Sequence, residues 1–98
     1  MTVYTLGIWT IQEGREAEFV GAWENMARMT KQHFPAAAGT LLRDQERATR
    51  FISFGPWESL EQVEEWRESA AFRNGVARIR EVLDGFEPST LDLVARVE

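Results

Sequence analysis

The alternation between two hydrophobic periods constrains the fold of this 98-residue chain more than any other feature of its sequence. A period of two residues predicts a β-strand, and a period of 3.6 residues predicts an amphipathic helix. The predicted strands are Val3 to Ile11, Thr40 to Glu46, Arg50 to Trp57 and Thr90 to Val97, and the predicted helices are Arg15 to about Phe34 and Ser59 to about Asp84. This β-α-β-β-α-β order is typical of a ferredoxin-like α+β fold, in which both helices cover one face of a four-stranded antiparallel sheet.

The two predicted helices have recognisable ends. Pro35 ends the first helix, because proline has no backbone N–H to donate and clashes with the preceding turn. Ser59 is predicted to cap the second helix, with Gln62 in the capping-box position, and Ser69 is predicted to interrupt and restart it. The apolar stripe then continues at helical spacing through Phe72, Val76, Ile79, Leu83 and Phe86, with Asp84-Gly85 as the predicted end.

The first and third predicted strands are apolar on both faces, although the helices can cover only one face of the sheet. In the first strand, for example, Leu6 and Ile8 alternate with Trp9 and Ile11. An apolar patch of that size on a monomer would favour aggregation. A second copy of the chain covers the patch most simply, with two sheets packed face to face about a two-fold axis. The sequence therefore predicts a homodimer.

Composition excludes several classes of function. The length predicts one domain, residues 1–98. The net charge is −5 and no Lys/Arg cluster occurs, so nucleic acid and anionic membranes are poor partners. No secretory signal is present, and no apolar run approaches the roughly 20 residues that span a bilayer. The absence of cysteine excludes disulfides and cysteine metal sites, and it favours a cytoplasmic location.

His33 is the only histidine, which limits the catalytic and metal-binding sites that the chain can build. We interpret it as a helix C-terminal residue favoured by the helix dipole, with a general base in a pocket as the alternative. A metal would need ligands that are all carboxylates, and the acids from Glu58 to Glu68 spread over a solvated helix face. No metal site is predicted, and no phosphate-binding glycine motif is present.

Four tryptophans in so small a chain are the remaining signal of function. By default Trp9, Trp23, Trp57 and Trp66 belong to a core or an interface. The alternative is a flat apolar pocket between sheet and helices, shaped for an aromatic ligand. Gln62 and Trp66 are four residues apart and therefore neighbours on one helix surface. An amide beside an indole at a pocket wall would hold a polar group on a flat ring.

Two segments and the element order together resemble the antibiotic biosynthesis monooxygenase (ABM) family. The first segment is Gly14-Arg15-Glu16-Ala17-Glu18-Phe19 at the start of the first helix, and the second runs from Trp57-Glu58-Ser59 through Trp66-Arg67-Glu68-Ser69 to Phe72. The resemblance covers essentially the whole chain. It implies a dimeric α+β barrel, and it is more specific for the fold than for an activity.

The resemblance also implies particular chemistries. Quinone-forming members oxidise anthrone-type compounds with O₂ and without metal or flavin, using Asn, Trp and Tyr at a spacing that corresponds here to Gln62, Trp66 and Phe72. The tryptophan matches, the amide reaches further, and the tyrosine hydroxyl is missing. Haem-degrading relatives place a histidine and an asparagine at positions that are Val76 and Gly7 here, which argues against haem.

These observations lead to a hypothesis with two alternatives. The chain is expected to be a cofactor-independent monooxygenase acting on a small aromatic or quinol-like compound. Trp66 is expected to wall the ring, Gln62 to hydrogen-bond a ring oxygen and Phe72 to line the pocket; the further candidates are Trp9, Trp23, His33 and, for an oxyanion, Arg43. The first alternative is a non-catalytic dimeric module that binds a small hydrophobic ligand. The second is a structural dimer whose aromatic residues are only core.

Overall fold

Strands and helices alternate along residues 2–98, the part of the chain that the computed structural model describes. The strands are β1 (Val3–Ile11), β2 (Thr40–Arg43), β3 (Arg50–Trp57) and β4 (Leu83–Asp92), and the helices are α1 (Glu16–His33), α2 (Leu60–Glu68) and α3 (Ala70–Ile79). A 3-10 turn at Arg80–Val82 joins α3 to β4. The β-α-β-β-α-β order is confirmed, with the second helix divided into α2 and α3.

The four strands form one antiparallel sheet in the order β2-β3-β1-β4, which is the strand order of the ferredoxin-like fold. The central strands β1 and β3 pair so that Gly7 lies opposite Ser53 and Trp9 lies opposite Phe51. Helices α1 and α3 pack on the face that these four residues share. The predicted α+β class and four-stranded antiparallel sheet are therefore confirmed.

Two separate clusters of buried side chains hold the helices on that face. The large core contains Trp9, Ile11, Phe19, Ala22, Met26, Phe51, Val76, Ile79 and Val82. The small core contains Val3, Phe34, Trp57 and Val63. Because β1 and β3 are antiparallel, the end of β1 and the start of β3 meet in the large core, and their other ends meet in the small core.

Serine residues define the ends of α2 and α3 as predicted. The Ser59 hydroxyl accepts a hydrogen bond of 3.1 Å from the backbone N–H of Gln62, which caps α2. The Ser69 hydroxyl accepts one of 3.3 Å from the backbone N–H of Phe72, which caps α3. Ser69 also donates to the carbonyl of Trp66, the residue near the end of α2. The predicted interruption and restart at Ser69 are confirmed, because one side chain serves both helix ends.

The chain after Ile79 differs from the prediction. Helix α3 ends there, β4 already begins at Leu83, and residues 93–98 lie outside any strand. The helical stripe predicted through Leu83 and Phe86 is therefore wrong beyond Ile79, and the last strand predicted at Thr90 to Val97 is placed too late. The reason is tertiary: Phe86 pairs with Trp9 of β1 and stacks on its ring, with centroids 4.1 Å apart.

Strand β2 is shorter than predicted, ending at Arg43 rather than Glu46. The Asp44 carboxylate accepts hydrogen bonds from the backbone N–H groups of Glu46, at 2.8 Å, and Arg47, at 3.2 Å. This local turn satisfies backbone donors that a longer strand would have used for pairing.

The sheet face away from the helices, called the open face below, is apolar at its centre. Leu6 of β1 lies opposite Phe54 of β3, and Ile8 lies opposite Ile52. All four side chains are half-buried, whereas Leu42 of the edge strand β2 is 52% exposed. Within residues 2–98, no helix combines the length and the apolar character that crossing a membrane requires.

Candidate functional site

A half-open cavity of about 470 Å³ lies between the helices and the sheet. All four tryptophans line it, and residues from β1, β3, β4, α1 and the connector 37–39 complete its surface. The cavity lies between the large core and the small core, so both ends of this face are closely packed while its middle is hollow. A cavity of this size, mostly apolar with a few polar groups, is typical of a small-molecule site.

Small residues occupy the middle of both central strands, at the floor of the cavity. The positions of β1 and β3 that face the helices are Thr5 opposite Gly55 and Gly7 opposite Ser53, and these four residues form the cavity floor. Larger side chains follow at either end of the same face. A Cβ atom at Gly7 would lie 3.0 Å from ring atoms of Phe86 and Trp9, so even one added carbon would crowd the floor.

Aromatic rings form the cavity wall, which comprises Trp9, Trp23, Trp57, Trp66 and Phe72. The Trp66 ring is central to it, with centroids 4.9 Å from Trp57 and 4.7 Å from Phe72. Trp66 packs edge-on against Phe72, an arrangement that aromatic pairs favour. The wall therefore offers several ring faces to a flat apolar ligand.

Three hydroxyl groups in the cavity lining each accept a hydrogen bond from a tryptophan of the wall. The indole N–H of Trp9 donates to Ser53 Oγ at 2.9 Å, that of Trp57 to Thr5 Oγ1 at 3.1 Å, and that of Trp66 to Thr30 Oγ1 at 2.9 Å; these are the only side-chain partners of the three indoles within residues 2–98. A hydroxyl that accepts in this way retains its own proton as a donor. The hydroxyls therefore fix the rings and remain able to donate to a ligand oxygen.

Arg67 is the one charged residue that lines the cavity in the described part of the chain. It follows Trp66 in α2, it is half-buried, and its Nη2 donates to Thr90 Oγ1 of β4 at 3.0 Å. Within residues 2–98 no Asp, Glu, Lys or His side chain reaches the lining. The cavity thus offers hydrogen-bond donors and a positive charge, and its described lining contains no general base.

The groups with shifted pKa values lie away from the cavity. A hydrogen bond from the backbone N–H of Glu46, supported by Arg47 and Arg50, lowers the pKa of Asp44 in the β2–β3 turn. A hydrogen bond from Arg15 lowers the pKa of Glu18 at the start of α1. Both shifts arise from local turn and helix contacts rather than from a catalytic arrangement.

The structure brings together four of the six residues that the sequence proposed for the site, namely Trp9, Trp23, Trp66 and Phe72. Gln62 is not in the lining: its side-chain oxygen accepts from the backbone N–H of Glu58 at 3.0 Å, next to the cap of α2. His33 is exposed at the end of α1 and is also outside the lining. The roles of all six residues stay predictions.

Sequence reasoning did not select Thr5, Gly7, Thr30, Ser53 or Arg67, all of which line the cavity. Large residues flank small ones at alternate positions of both central strands, but the small residues form a floor only once the β1–β3 register places them opposite each other. Arg43, which the sequence proposed for an oxyanion, is exposed on β2 and does not line the cavity.

The residues that would hold a metal or haem do not assemble in the described structure. No group of three or more His, Asp or Glu side chains suited to a metal ion occurs within residues 2–98. Val76, at the position of the histidine in haem-degrading relatives, is buried in the large core. Gly7, at the position of their asparagine, lies where an added side chain would meet Trp9 and Phe86.

Comparisons with known proteins point to one family and one fold. The family model described as antibiotic biosynthesis monooxygenase matches residues 2–78. SnoaB, a cofactor-independent oxygenase from Streptomyces nogalater, has a TM-score of 0.82 at 18% identity, covering 99% of this chain and 95% of its own. Rv0793 from Mycobacterium tuberculosis has a TM-score of 0.85 at 14% identity, covering 100% of both chains. A search of curated proteins finds no significant match.

Proposed function

The chain belongs to the antibiotic biosynthesis monooxygenase family, and we propose that it is a cofactor-independent monooxygenase acting on a small aromatic or quinol-like compound. The observation that carries the proposal is the cavity wall of four tryptophans and Phe72, whose indole N–H groups are largely committed to protein hydroxyls. Such a wall favours a flat apolar ring over a polar or extended ligand. The shared fold with SnoaB, which is described as a cofactor-independent oxygenase, is consistent with this activity.

In this proposal Trp66 is the residue that contacts the reacting ring. Its N–H is engaged by Thr30, so the ring face is what it offers to the substrate. Phe72 packs edge-on against Trp66 and lines the same space. Gln62 would act as a positioning residue, because its hydrogen bond to Glu58 supports the first turn of the helix that presents Trp66.

The reaction proposed is the one that the family resemblance implies. A ring CH₂ group loses a proton, the resulting carbanion reduces O₂, and the carbon becomes C=O while the second oxygen atom leaves as water. The hydroxyls of Ser53, Thr5 and Thr30 would donate to the enolate oxygen and lower its energy. The first proton would pass to solvent, since the described lining contains no base.

A binding module without catalysis is the second candidate function, and a particular observation favours it. Phe72 has no hydroxyl, so the proton donor that the family resemblance implies at this position is missing. The same cavity would then bind an aromatic ligand and release it unchanged.

Oxygen uptake distinguishes these functions. The protein is mixed with a panel of anthrones and hydroquinones, and O₂ consumption above the rate without protein is expected for at least one compound. Trp66→Ala is expected to abolish that excess, whereas Leu60→Ala, a change at an exposed residue of the same helix, retains it. Quenching of tryptophan fluorescence without O₂ uptake would favour the binding module. The absence of both quenching and O₂ uptake would favour a purely structural dimer.

The open face supports the further proposal of a homodimer with two sheets packed face to face, as in the α+β barrel that the family resemblance implies. Its central residues Leu6, Ile8, Ile52 and Phe54 leave no charged group between them, and Leu42 extends the apolar surface to the edge strand. Sedimentation should give twice the chain mass of 11.3 kDa. A monomer at micromolar concentration would contradict the dimer. A cytoplasmic location stays a prediction from composition.

A further inference from the structure

Arg67 reaches from the helix layer to the sheet at the rim of the cavity. It lies in α2, yet its Nη2 donates to Thr90 of β4 rather than to a residue of its own helix. An arginine on a helix surface can pair with an acid three or four positions away, and Glu64 is at that spacing. The observed orientation instead places the guanidinium against Thr90, and both residues line the cavity that Trp66 and Phe72 wall.

The charge of Arg67 is not neutralised by a protein carboxylate. Within residues 2–98, the ion pairs shorter than 4.0 Å are Arg15–Glu18 and Arg50–Asp44, so no described acid pairs with Arg67. A guanidinium has five N–H donors in a planar fork that matches a carboxylate. The hydrogen bond to Thr90 uses one of them, and donors remain for a ligand.

Other polar side chains of the lining can also donate hydrogen bonds to a ligand, as Arg67 can. The hydroxyls of Thr5, Thr30 and Ser53 accept from indoles and keep their protons to donate. Within the described residues no acidic side chain lines the cavity, although the whole chain has a net charge of −5.

We propose that Arg67 binds an anionic oxygen of the ligand, so that the cavity selects aromatic compounds bearing a carboxylate or an ionised phenol or enol. This inference rests on the proposed function, because it assumes that the cavity is the ligand site. A neutral aromatic compound of the same shape would bind more weakly.

A matched pair of probes tests the charge preference. 2-Naphthoate is an anion near neutral pH and 2-naphthamide is its neutral counterpart of nearly the same shape. Their dissociation constants are measured by calorimetry at low salt for the unmodified protein, Arg67→Gln, Arg67→Lys and Arg73→Gln. Arg73 is an exposed arginine of α3 outside the lining, so its substitution changes the net charge equally without touching the cavity.

The expected result is about tenfold tighter binding of the naphthoate by the unmodified protein, the size of one charge-assisted hydrogen bond. In Arg67→Gln the preference disappears while the affinity for naphthamide is unchanged; in Arg67→Lys part of it remains, and in Arg73→Gln all of it remains. Equal affinities in the unmodified protein, or a preference that survives Arg67→Gln, would overturn the role of Arg67 and leave the aromatic site intact. If neither probe binds, both the site and this inference fail.

Discussion

The helix-covered face of the sheet is closely packed at both ends and hollow in the middle, although the same two strands run through all three regions. At one end, Phe19 is fully buried and its ring lies 4.9 Å from Phe51 and 5.4 Å from Trp9. In the middle, Gly7 and Ser53 lie opposite each other on the cavity floor. The difference lies in side-chain volume at alternate strand positions, since backbone pairing is continuous throughout.

Packing that stabilises the fold and the cavity that can bind a ligand are therefore located in different parts of one sheet. The large and small cores bury the apolar area that stabilises the fold, so the middle can remain open without loss of the helix layer. Three Trp-to-hydroxyl hydrogen bonds then fix the rings at the borders of the hollow. Substitutions at the packed ends should therefore change stability, and substitutions around the hollow should change ligand binding.

The largest effect is expected when a ring is removed from a packed end. Phe19→Ala should lower the free energy of unfolding by about 3–5 kcal/mol, because it leaves a cavity among Trp9, Phe51 and α1. Phe72→Ala should lower it by only about 1–2 kcal/mol, because that ring is half-buried and already borders the hollow. Urea unfolding of both variants and of the unmodified protein, at one protein concentration, measures the two losses of free energy. Equal losses would contradict the distinction between packed ends and hollow middle.

A second prediction concerns the connector that closes the cavity above Gly55. A Cβ atom at Gly55 would lie 2.1 Å from the carbonyl oxygen of Ala38, so Gly55→Ala must displace backbone of the connector. We expect a loss of about 2–3 kcal/mol, together with weaker binding of an aromatic probe. Gly21→Ala is the matched control: nothing lies within 4 Å of that position in α1, and alanine there should stabilise by about 0.5–1 kcal/mol. A neutral Gly55→Ala would show that the connector is not held against β3.

The hydrogen bond from Trp66 to Thr30 gives a third, smaller prediction. Thr30→Val keeps the shape but removes the acceptor, and it should lower the free energy of unfolding by about 1–2 kcal/mol. The loss is limited because water in the hollow can reach the half-buried indole. Thr30→Ser retains the hydroxyl, and the tryptophan emission spectrum of this variant is expected to equal that of the unmodified protein. A Thr30→Val protein with unchanged spectrum and stability would show that this bond does not position the ring.

Local and strongly periodic features of the fold could be predicted from the sequence. The bounds of β1 and β3 were predictable because their runs are long and strongly β-forming, and the caps at Ser59 and Ser69 because a cap involves only neighbouring residues. The start of β4 was not predictable, because Leu83 and Phe86 fit a helical spacing as well as a strand. Only pairing with β1, distant in sequence, decides between the two.

The site was predictable in its walls and not in its floor. Aromatic residues are conspicuous, so Trp66 could be selected from its helical spacing to Gln62, and Phe72 from the family resemblance. Small residues such as Gly7 and Ser53 form a hollow only once the β1–β3 register places them opposite each other, and the sequence does not state that register. Gln62 was selected but does not line the cavity. It is a helix neighbour of Trp66, but the backbone N–H of Glu58 is a competing partner for its side-chain amide.

The smallest effect should come from Asp44, which lies far from the hollow in the β2–β3 turn. Its pKa is lowered in the folded chain, chiefly by the backbone N–H of Glu46, with Arg47 and Arg50 contributing. A lowered folded pKa means that ionised Asp44 stabilises the fold above its unfolded pKa of about 4, and that this contribution is lost as pH falls through the lower folded value. Asp44→Asn should therefore slightly lower the melting temperature at pH 7.

The difference between Asp44→Asn and the unmodified protein should shrink at about pH 3, because the unmodified carboxylate is then losing its own charge. Glu46→Gln is the control, since it removes a nearby exposed acid while keeping the backbone N–H that Asp44 accepts from. Affinity for 2-naphthoate should be the same in all three proteins, because neither acid lines the cavity. A change in that affinity would mean that the turn and the hollow are coupled, against the division between packing and binding along the sheet.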